Sequence, residues 1–437
     1  MHENSRESSS RPALQYTNFR HYLLARLLST TSSEMQSVAV GWQVYEITHR
    51  PLDLGLVGLA QFLPGICLFL FAGHVADRIA RQRILQTCLA GFSGCSALLL
   101  LLTLHPIGGT SPLARVYPIY AVMLLNGIVR AFNGPASQAF LPLLVPRDVF
   151  PNAVAWNASV FQSATIGAPM FGGVLYGITG SPAPVYGCAA AGYLSAFFLI
   201  GSLQLPAWKA SAHAASLGMV LEGLKYIWSN KLILGAVSLD LFAVLLVGAV
   251  ALLPVYASAI FRMGAGGLGM LRSAPGLGAL TMSIVVAHWP LRRRAGAVML
   301  SCVFAFGAFT LLFGLSRSFE LSLLLLFFTG MADTISVIVR STMIQLGTPD
   351  EMRGRVSAVN MVFVGASNEI GQFESGITAQ WLGAVPAVVL GGVGTMLIVF
   401  VWSWIFPDLR RLDKLVPHEP VAALARASSE GTAPVES

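Results

Sequence analysis

Nine ionisable side chains lie within long apolar runs of this chain: Arg26, Glu34, Arg130, Asp240, Arg272, Asp333, Arg340, Glu369 and Glu374. A charge at the centre of a membrane-spanning helix costs roughly 2.5 kcal/mol or more, so each needs a partner or a task. For a carboxylate the task is proton transfer. Burial raises the pKa of such a group and a neighbouring arginine lowers it, so an arginine that moves can load and unload a proton. For Arg26, near the end of its apolar run, and for Asp240, an interhelical pair or a side chain reaching the interface explains the charge equally well. A second cluster, Phe71 to Ile84, has another character. There Asp77, Arg78, Arg81 and Arg83 crowd between two apolar runs, which suits a solvated turn or a gate.

These residues stand on an apolar background. Of 437 residues, 55% are hydrophobic and only 11% charged. Soluble domains carry about 25% charged residues, so this chain cannot cover a soluble surface and belongs in lipid. A helix needs about 20 apolar residues to cross the hydrocarbon core. Twelve spans are predicted: 20–46, 53–76, 83–104, 117–145, 151–177, 184–205, 231–261, 265–289, 295–316, 320–347, 354–382 and 385–407. The expected fold is therefore an all-α membrane protein of twelve transmembrane helices. The polar first 17 residues have no apolar core, so no cleaved signal peptide is expected. Residues 206–230 form the longest connection, with a short amphipathic helix expected from Leu217 to Trp228, and the tail from 408 to 437 is expected to be disordered.

Charge placement gives an orientation. Lys and Arg gather in the N-terminus, the even-to-odd connections and the C-terminal tail, while Arg50, Arg115, Arg262 and Arg317 alone mark the other side. The positive-inside rule then puts both termini in the cytoplasm. The net charge of +7 is spread over short loops, which excludes a nucleic-acid face. The five cysteines lie in apolar runs without a C-x-x-C pair, so neither a disulfide framework nor a metal site is expected.

The chain also repeats itself. Pro146 to Asn157 (PRDVFPNAVAWN) matches Pro349 to Asn360 (PDEMRGRVSAVN) at an offset of 203, and Gly58 to Gly65 matches Gly269 to Gly276 at 211. Two six-helix bundles are expected, 18–205 and 231–407, joined by the 206–230 linker, with a binding site between them. The first offset pairs Arg130 with Asp333, and the second pairs Gln61 with Arg272. Arg130, Asn133 and Ser137 share one helix face, as do Asp333, Ser336 and Arg340. Arg130 and Asp333 are thus expected in or beside a cavity. Glu369 and Glu374, about 140° apart around a helix, do not share a face.

At this point the chain resembles the major facilitator superfamily over nearly its whole length. Gly73, Ala76, Asp77, Arg78 and Arg81 match the family's G-x-L-A-D-R-x-G-R-R signature, with Val75, Ala80 and Gln82 as departures. Arg130-Ala-Phe-Asn133-Gly134 is similar to its R-x-x-Q-G pattern, associated with proton coupling. Pro169, Gly172 and Gly173, preceded by Ala168, resemble the G-P-x-x-G-G pattern of exporters. The N-terminal FRHYLLARLLST, the GLGMLRSAPG segment and the run from Asp333 resemble the branch of bacterial effluxers containing the enterobactin exporter. The resemblance implies a cavity lined by helices 1, 4, 7 and 10. It also implies that Asp77 meets the start of helix 11 at Arg353-Gly354-Arg355 when the inner side closes. At offset 211 Arg81 and Arg83 map onto Arg292 and Arg294, while Asp77 maps onto His288, so the acid exists in one copy.

The expected function is secondary active transport: a proton-coupled exporter of siderophore-like or drug-like small molecules in the bacterial inner membrane, working by rocker-switch alternating access. A facilitator or importer of the same fold is the alternative, and a receptor or enzyme a remote one. No H-x-x-x-H spacing, Walker sequence or soluble domain is present, which argues against an enzyme and against ATP-driven transport. The expected partners are a small-molecule substrate, protons and the lipid bilayer. No nucleic acid, cofactor or metal is expected, and the chain is expected to act as a monomer.

Overall fold

The computed structural model describes residues 12–106, 109, 111–205, 217–289 and 294–413, and every regular element in them is helical. The first six long helices are α1 (Thr17–Thr48), α2 (Pro51–Arg78), α3 (Arg81–Leu104), α4 (Pro112–Phe140), α5 (Phe150–Thr179) and α6 (Ala183–Gly201). A short α7 (Leu217–Ser229) leads into α8 (Lys231–Leu246) and α9 (Ala249–Val255). Then follow α10 (Gly264–His288), α11 (Ala295–Leu315), α12 (Phe319–Gly347), α13 (Asp350–Leu382), α14 (Ala384–Ile405) and the single turn α15 (Pro407–Arg411).

Among the described residues nine segments are long and apolar enough to cross a membrane, and each coincides with a predicted span. The other three predicted spans are α1, α5 and α13, helices of 32, 30 and 33 residues. Length does not separate them from the nine, since at 1.5 Å per residue each exceeds the hydrocarbon thickness. Polarity does. α1 carries Arg26, Glu34 and Glu46, α13 carries Glu369 and Glu374, and α5 carries a series of Asn, Ser and Thr.

Packing follows small residues. α1 packs on α5 and α6, α3 on α4 and α6, and α2 on α4; beyond α7, α10 packs on α12, α11 on α12 and α14, and α8 on α13 and α14. The two sets of helices meet along two seams, α5 with α10 and α2 with α13. At the first seam a Cβ on Gly173 would stand 2.5 Å from the Ala265 carbonyl oxygen, and one on Gly269 would stand 2.5 Å from that of Pro169. At the second, a Cβ on Gly55 would come within 3.0 Å of the Phe373 Cα. Gly172 faces the other way, its absent Cβ 2.9 Å from the Met35 Cα of α1. The small residues therefore let backbones touch, as membrane helices require in the absence of a hydrophobic drive between them.

Four local expectations change. The segment 71–84 is not a loop: α2 continues to Arg78 and α3 begins at Arg81, so Gly73, Asp77 and Arg78 belong to the last turns of α2. The Asp77 side chain lies outside the described residues. The predicted span 231–261 is broken between α8 and α9, where Val247 leaves the helical conformation and Gly248 lies against the Gly371 carbonyl of α13, a place where no side chain fits. α4 ends at Phe140, short of the expected 145, in a 3-10 turn containing Pro142. The tail expected to be disordered from 408 is helical to Arg411, with Leu409 fully buried. Asp413 holds the start of α11: its side chain accepts from the Arg294 N–H at 3.0 Å and its carbonyl from the Ala295 N–H at 3.3 Å. The remainder of the linker and tail, 206–216 and 414–437, lies outside the described residues.

A valine at Gly173 or Gly269 is expected to destabilise the purified protein by about 1–3 kcal/mol, the range for overpacking. Gly177→Ala is expected to be tolerated, since its Cβ would meet Gly266 at an ordinary 3.5 Å. Melting temperatures in detergent check both.

Candidate functional site

Between the two sets of helices lies a cavity of about 620 Å³, lined from α1 to α6 and from α9, α10 and α13. Its lining reaches Tyr22 near the start of α1, Leu85 near the start of α3 and Ser137 near the end of α4, all at the end of the molecule where α2 passes into α3. Toward the opposite end it stops at the glycine seams. Five charged side chains line it: Arg26, Glu34, Arg130, Arg272 and Glu369.

Two polar bridges cross this cavity from one set of helices to the other. Arg130 of α4 donates to Glu369 of α13, Nη1 to Oε1 at 3.2 Å, and Gln372 one turn further on donates to Oε2 at 3.3 Å. Gly58 of α2 makes room for that carboxylate, since a Cβ there would lie 3.3 Å from Oε2. Arg272 of α10 donates to Ser37 of α1 at 2.6 Å. Glu34, one turn before Ser37, adds its charge near Arg272 and Arg130. Asn133 lies on the lining between Arg130 and Ser137, so the whole polar stripe of α4 faces the cavity.

A second ion pair is of a different kind. Arg340 of α12 and Asp240 of α8 are paired with side-chain exposures of 4% and 8%. In the Arg130–Glu369 pair the arginine is 60% exposed and the acid 12%. An accessible pair contributes about 0–1 kcal/mol, whereas removing one partner of a dry pair costs about 3–5 kcal/mol. The first can therefore exchange partners and the second holds two helices together.

This arrangement corrects the expected place of Asp333. No residue of α12 lines the cavity. α12 is pressed backbone to backbone on α10, with Gly330 against Pro275 and Gly278 against Phe327, and its Ser336–Arg340 face is buried, Arg340 being turned to Asp240. Asp333 makes no hydrogen bond or ion pair to any described residue. Glu374 also stays off the lining, accepting from the Thr378 hydroxyl of its own helix at 2.7 Å. The sequence reading missed Ser37 and Gln372, although each stands three residues after an acid, one helical turn away.

At the α2–α3 end, Arg81 donates to the Ala139 carbonyl at the end of α4, 2.8 Å away, a cation placed on a helix C-terminus. Gln82, a departure from the signature, donates to the Ile200 and Leu203 carbonyls at 2.8 and 3.0 Å and so caps α6. Arg355 near the start of α13 pairs with Glu222 of α7. Gly223 of the same helix lies close enough that a Cβ would stand 2.8 Å from the Arg355 carbonyl oxygen, while no atom crowds Gly354. Arg78 and Arg83 are exposed.

A polar cavity held between two sets of membrane-length helices, with charges that bridge the sets, is the arrangement of a membrane transporter. The profile of the transmembrane secretion effector family matches residues 8–426. The chain belongs to that family, within the major facilitator superfamily of transporters. It is similar to the enterobactin exporter EntS of Shigella boydii, 28% identical over 411 residues covering 92% of this chain and 94% of that one. The enterobactin exporter EntS of Citrobacter koseri is 28% identical over 410 residues, covering 91% and 94%. Among solved structures, a bacterial homologue of the human lysosomal transporter Spinster, inward-facing and unoccupied, superposes with a TM-score of 0.67 at 13% identity, covering 92% of this chain and 99% of that one. A D-xylose–proton symporter superposes at 0.63 and 14% identity, covering 89% and 96%. At these identities the structures speak for the fold alone.

Single changes Asp240→Asn or Arg340→Met are expected to cost about 3–5 kcal/mol each, and the double change much less than their sum. Thermal unfolding of the four proteins checks this, and additive losses would show that the two residues do not act as a pair.

Proposed function

We propose that the protein is a proton-coupled exporter of small organic molecules, siderophore-like or drug-like. It acts in the bacterial inner membrane through twelve helices arranged as two six-helix bundles, with both termini in the cytoplasm. The observation that carries this reading is the accessible Arg130–Glu369 bridge across the cavity. The exporter named in the relatives supports the direction of transport.

In this reading the glycine seams close the outer side and the cavity receives substrate from the cytoplasm. Substrate entering from the cytoplasm draws Arg130 away from Glu369, so the bridge between the bundles opens. The bundles then rock about the cavity, part at the seams and release the substrate outward, where a proton from the outer side neutralises Glu369. The protein returns with that proton, which leaves to the cytoplasm as Arg130 recovers Glu369 and the bridge re-forms. Glu34 is the second candidate for the proton, since it lines the same cavity. Asp333 and Glu374 are less directly coupled to it.

At the inner side, Asp77 latches α2 to the start of α13 at Arg353 and Arg355 when the cavity closes there. Arg355 is held by Glu222, so the linker helix shares this gate.

Two experiments test the proposal. In everted membrane vesicles a proton gradient should stimulate transport of a compound from a siderophore and drug panel. Glu369→Gln should abolish that stimulation, and Glu34→Gln, Asp333→Asn and Glu374→Gln complete the set. Unchanged coupling in all four variants would exclude proton antiport through these acids, and wild-type transport indifferent to the gradient would indicate a facilitator. Separately, Asp77→Asn should lose transport while the protein still reaches the membrane. Full activity of that variant would mean a solvated turn.

A further inference from the structure

The repeat places Ser137 of α4 at the position of Arg340 of α12, at the offset of 203. Both residues face the first helix of their own set. Arg340 meets Asp240 of α8, and the charges cancel in a dry pair. Ser137 meets Arg26 of α1, accepting from Nη1 at a long 3.4 Å. The first copy thus has a cation and a hydroxyl where the second has a cation and an acid. The second copy is sealed among helices. The first opens on the cavity, and Arg26, Ser137 and Phe161 all belong to its lining.

The charges of the cavity point the same way. Three arginines and two glutamates line it. Arg130 is bonded to Glu369, and Arg272, bonded to Ser37, shares the field of Glu34. Among the described residues no carboxylate lies within salt-bridge reach of Arg26, and its Nε is buried without an acceptor. Its guanidinium lies 5.4 Å from the centre of the Phe161 ring, which is itself 41% exposed. A guanidinium with a buried, unpartnered Nε gains from a counter-charge, and among the described residues the protein supplies one in only one of the two copies.

Building on the export reading above, we propose that Arg26, Ser137 and Phe161 form a subsite for a carboxylate on an aromatic substrate. The carboxylate pairs with the guanidinium, whose planar fork suits two parallel hydrogen bonds, and Ser137 orients that fork. The aromatic body of the substrate packs beside Phe161. The substrate supplies to Arg26 the counter-charge that Asp240 supplies to Arg340. The cavity therefore selects monoanionic aromatic acids over neutral molecules of the same shape.

The test uses the purified full-length protein in detergent and two probes of one ring system, 2-naphthoate and its neutral amide, 2-naphthamide, titrated by calorimetry. The wild type should bind the carboxylate more tightly than the amide. Arg26→Gln should weaken naphthoate about tenfold or more, as expected for loss of a charged hydrogen bond, and leave naphthamide unchanged. Arg26→Lys should recover part of the loss. Ser137→Asp, which puts a carboxylate of the protein beside Arg26, should weaken naphthoate alone to a similar extent. Equal affinity of the two probes for the wild type would overturn the proposal. So would naphthoate binding insensitive to both substitutions, or a parallel loss of both probes in both variants. These binding results are independent of the proton-gradient experiment, so failure of the export reading and failure of the subsite are told apart.

Discussion

A charged group in the low dielectric of a membrane must be neutralised where it stands, and this molecule is organised by how it meets that demand. It uses two solutions. Between α8 and α12 the charges are matched, dry and out of reach of the cavity. At the cavity Arg130 is matched to Glu369 across the two sets of helices and stays more than half exposed. The difference in accessibility decides their roles, because an interaction worth several kcal/mol to break fixes a structure, while one near the thermal energy can switch.

The wet bridges depend on close packing elsewhere. Arg130 reaches Glu369, and Arg272 reaches Ser37, only because the two sets approach to backbone contact along their seams. Gly173 and Gly269 permit that approach on one side, Gly55 on the other, and Gly58 leaves the space that the Glu369 carboxylate fills. The glycines that mark the exporter pattern thus do mechanical work of two kinds. Gly172 fits α5 to α1 within one set, and Gly173 fits it to α10 of the other. Backbone contacts of this sort have few side chains to disentangle.

The two stretches related by the sequence repeat differ in charge. The α4 stripe faces the cavity, whereas the equivalent stripe of α12 is buried, with Arg340 paired to α8. The 2–3 link of the first copy retains an acid, Asp77, where the second has His288. The start of α13 is occupied by Glu222 and Gly223 of the linker helix.

Composition and hydropathy were sufficient for the membrane-spanning character of the chain, because burying backbone in lipid leaves helices as the economical solution and twenty apolar residues as its signature. Motif spacing was sufficient for the superfamily. Periodicity also placed Arg130, Asn133 and Ser137 on one face, and it separated Glu369 from Glu374. It could not say which direction a face points. Asp333 has the same spacing within its helix as Arg130, yet α12 is rotated away from the cavity by contacts of Gly278 and Gly330 that lie on two helices far apart in sequence. The partner of each charge was likewise undetermined by sequence: Arg130 to Glu369 spans 239 residues, and Arg355 to Glu222 spans 133. Local sequence determines what a helix can present. Only the packing of helices decides which charges meet, which stay wet, and which cation is left to await an anion from outside.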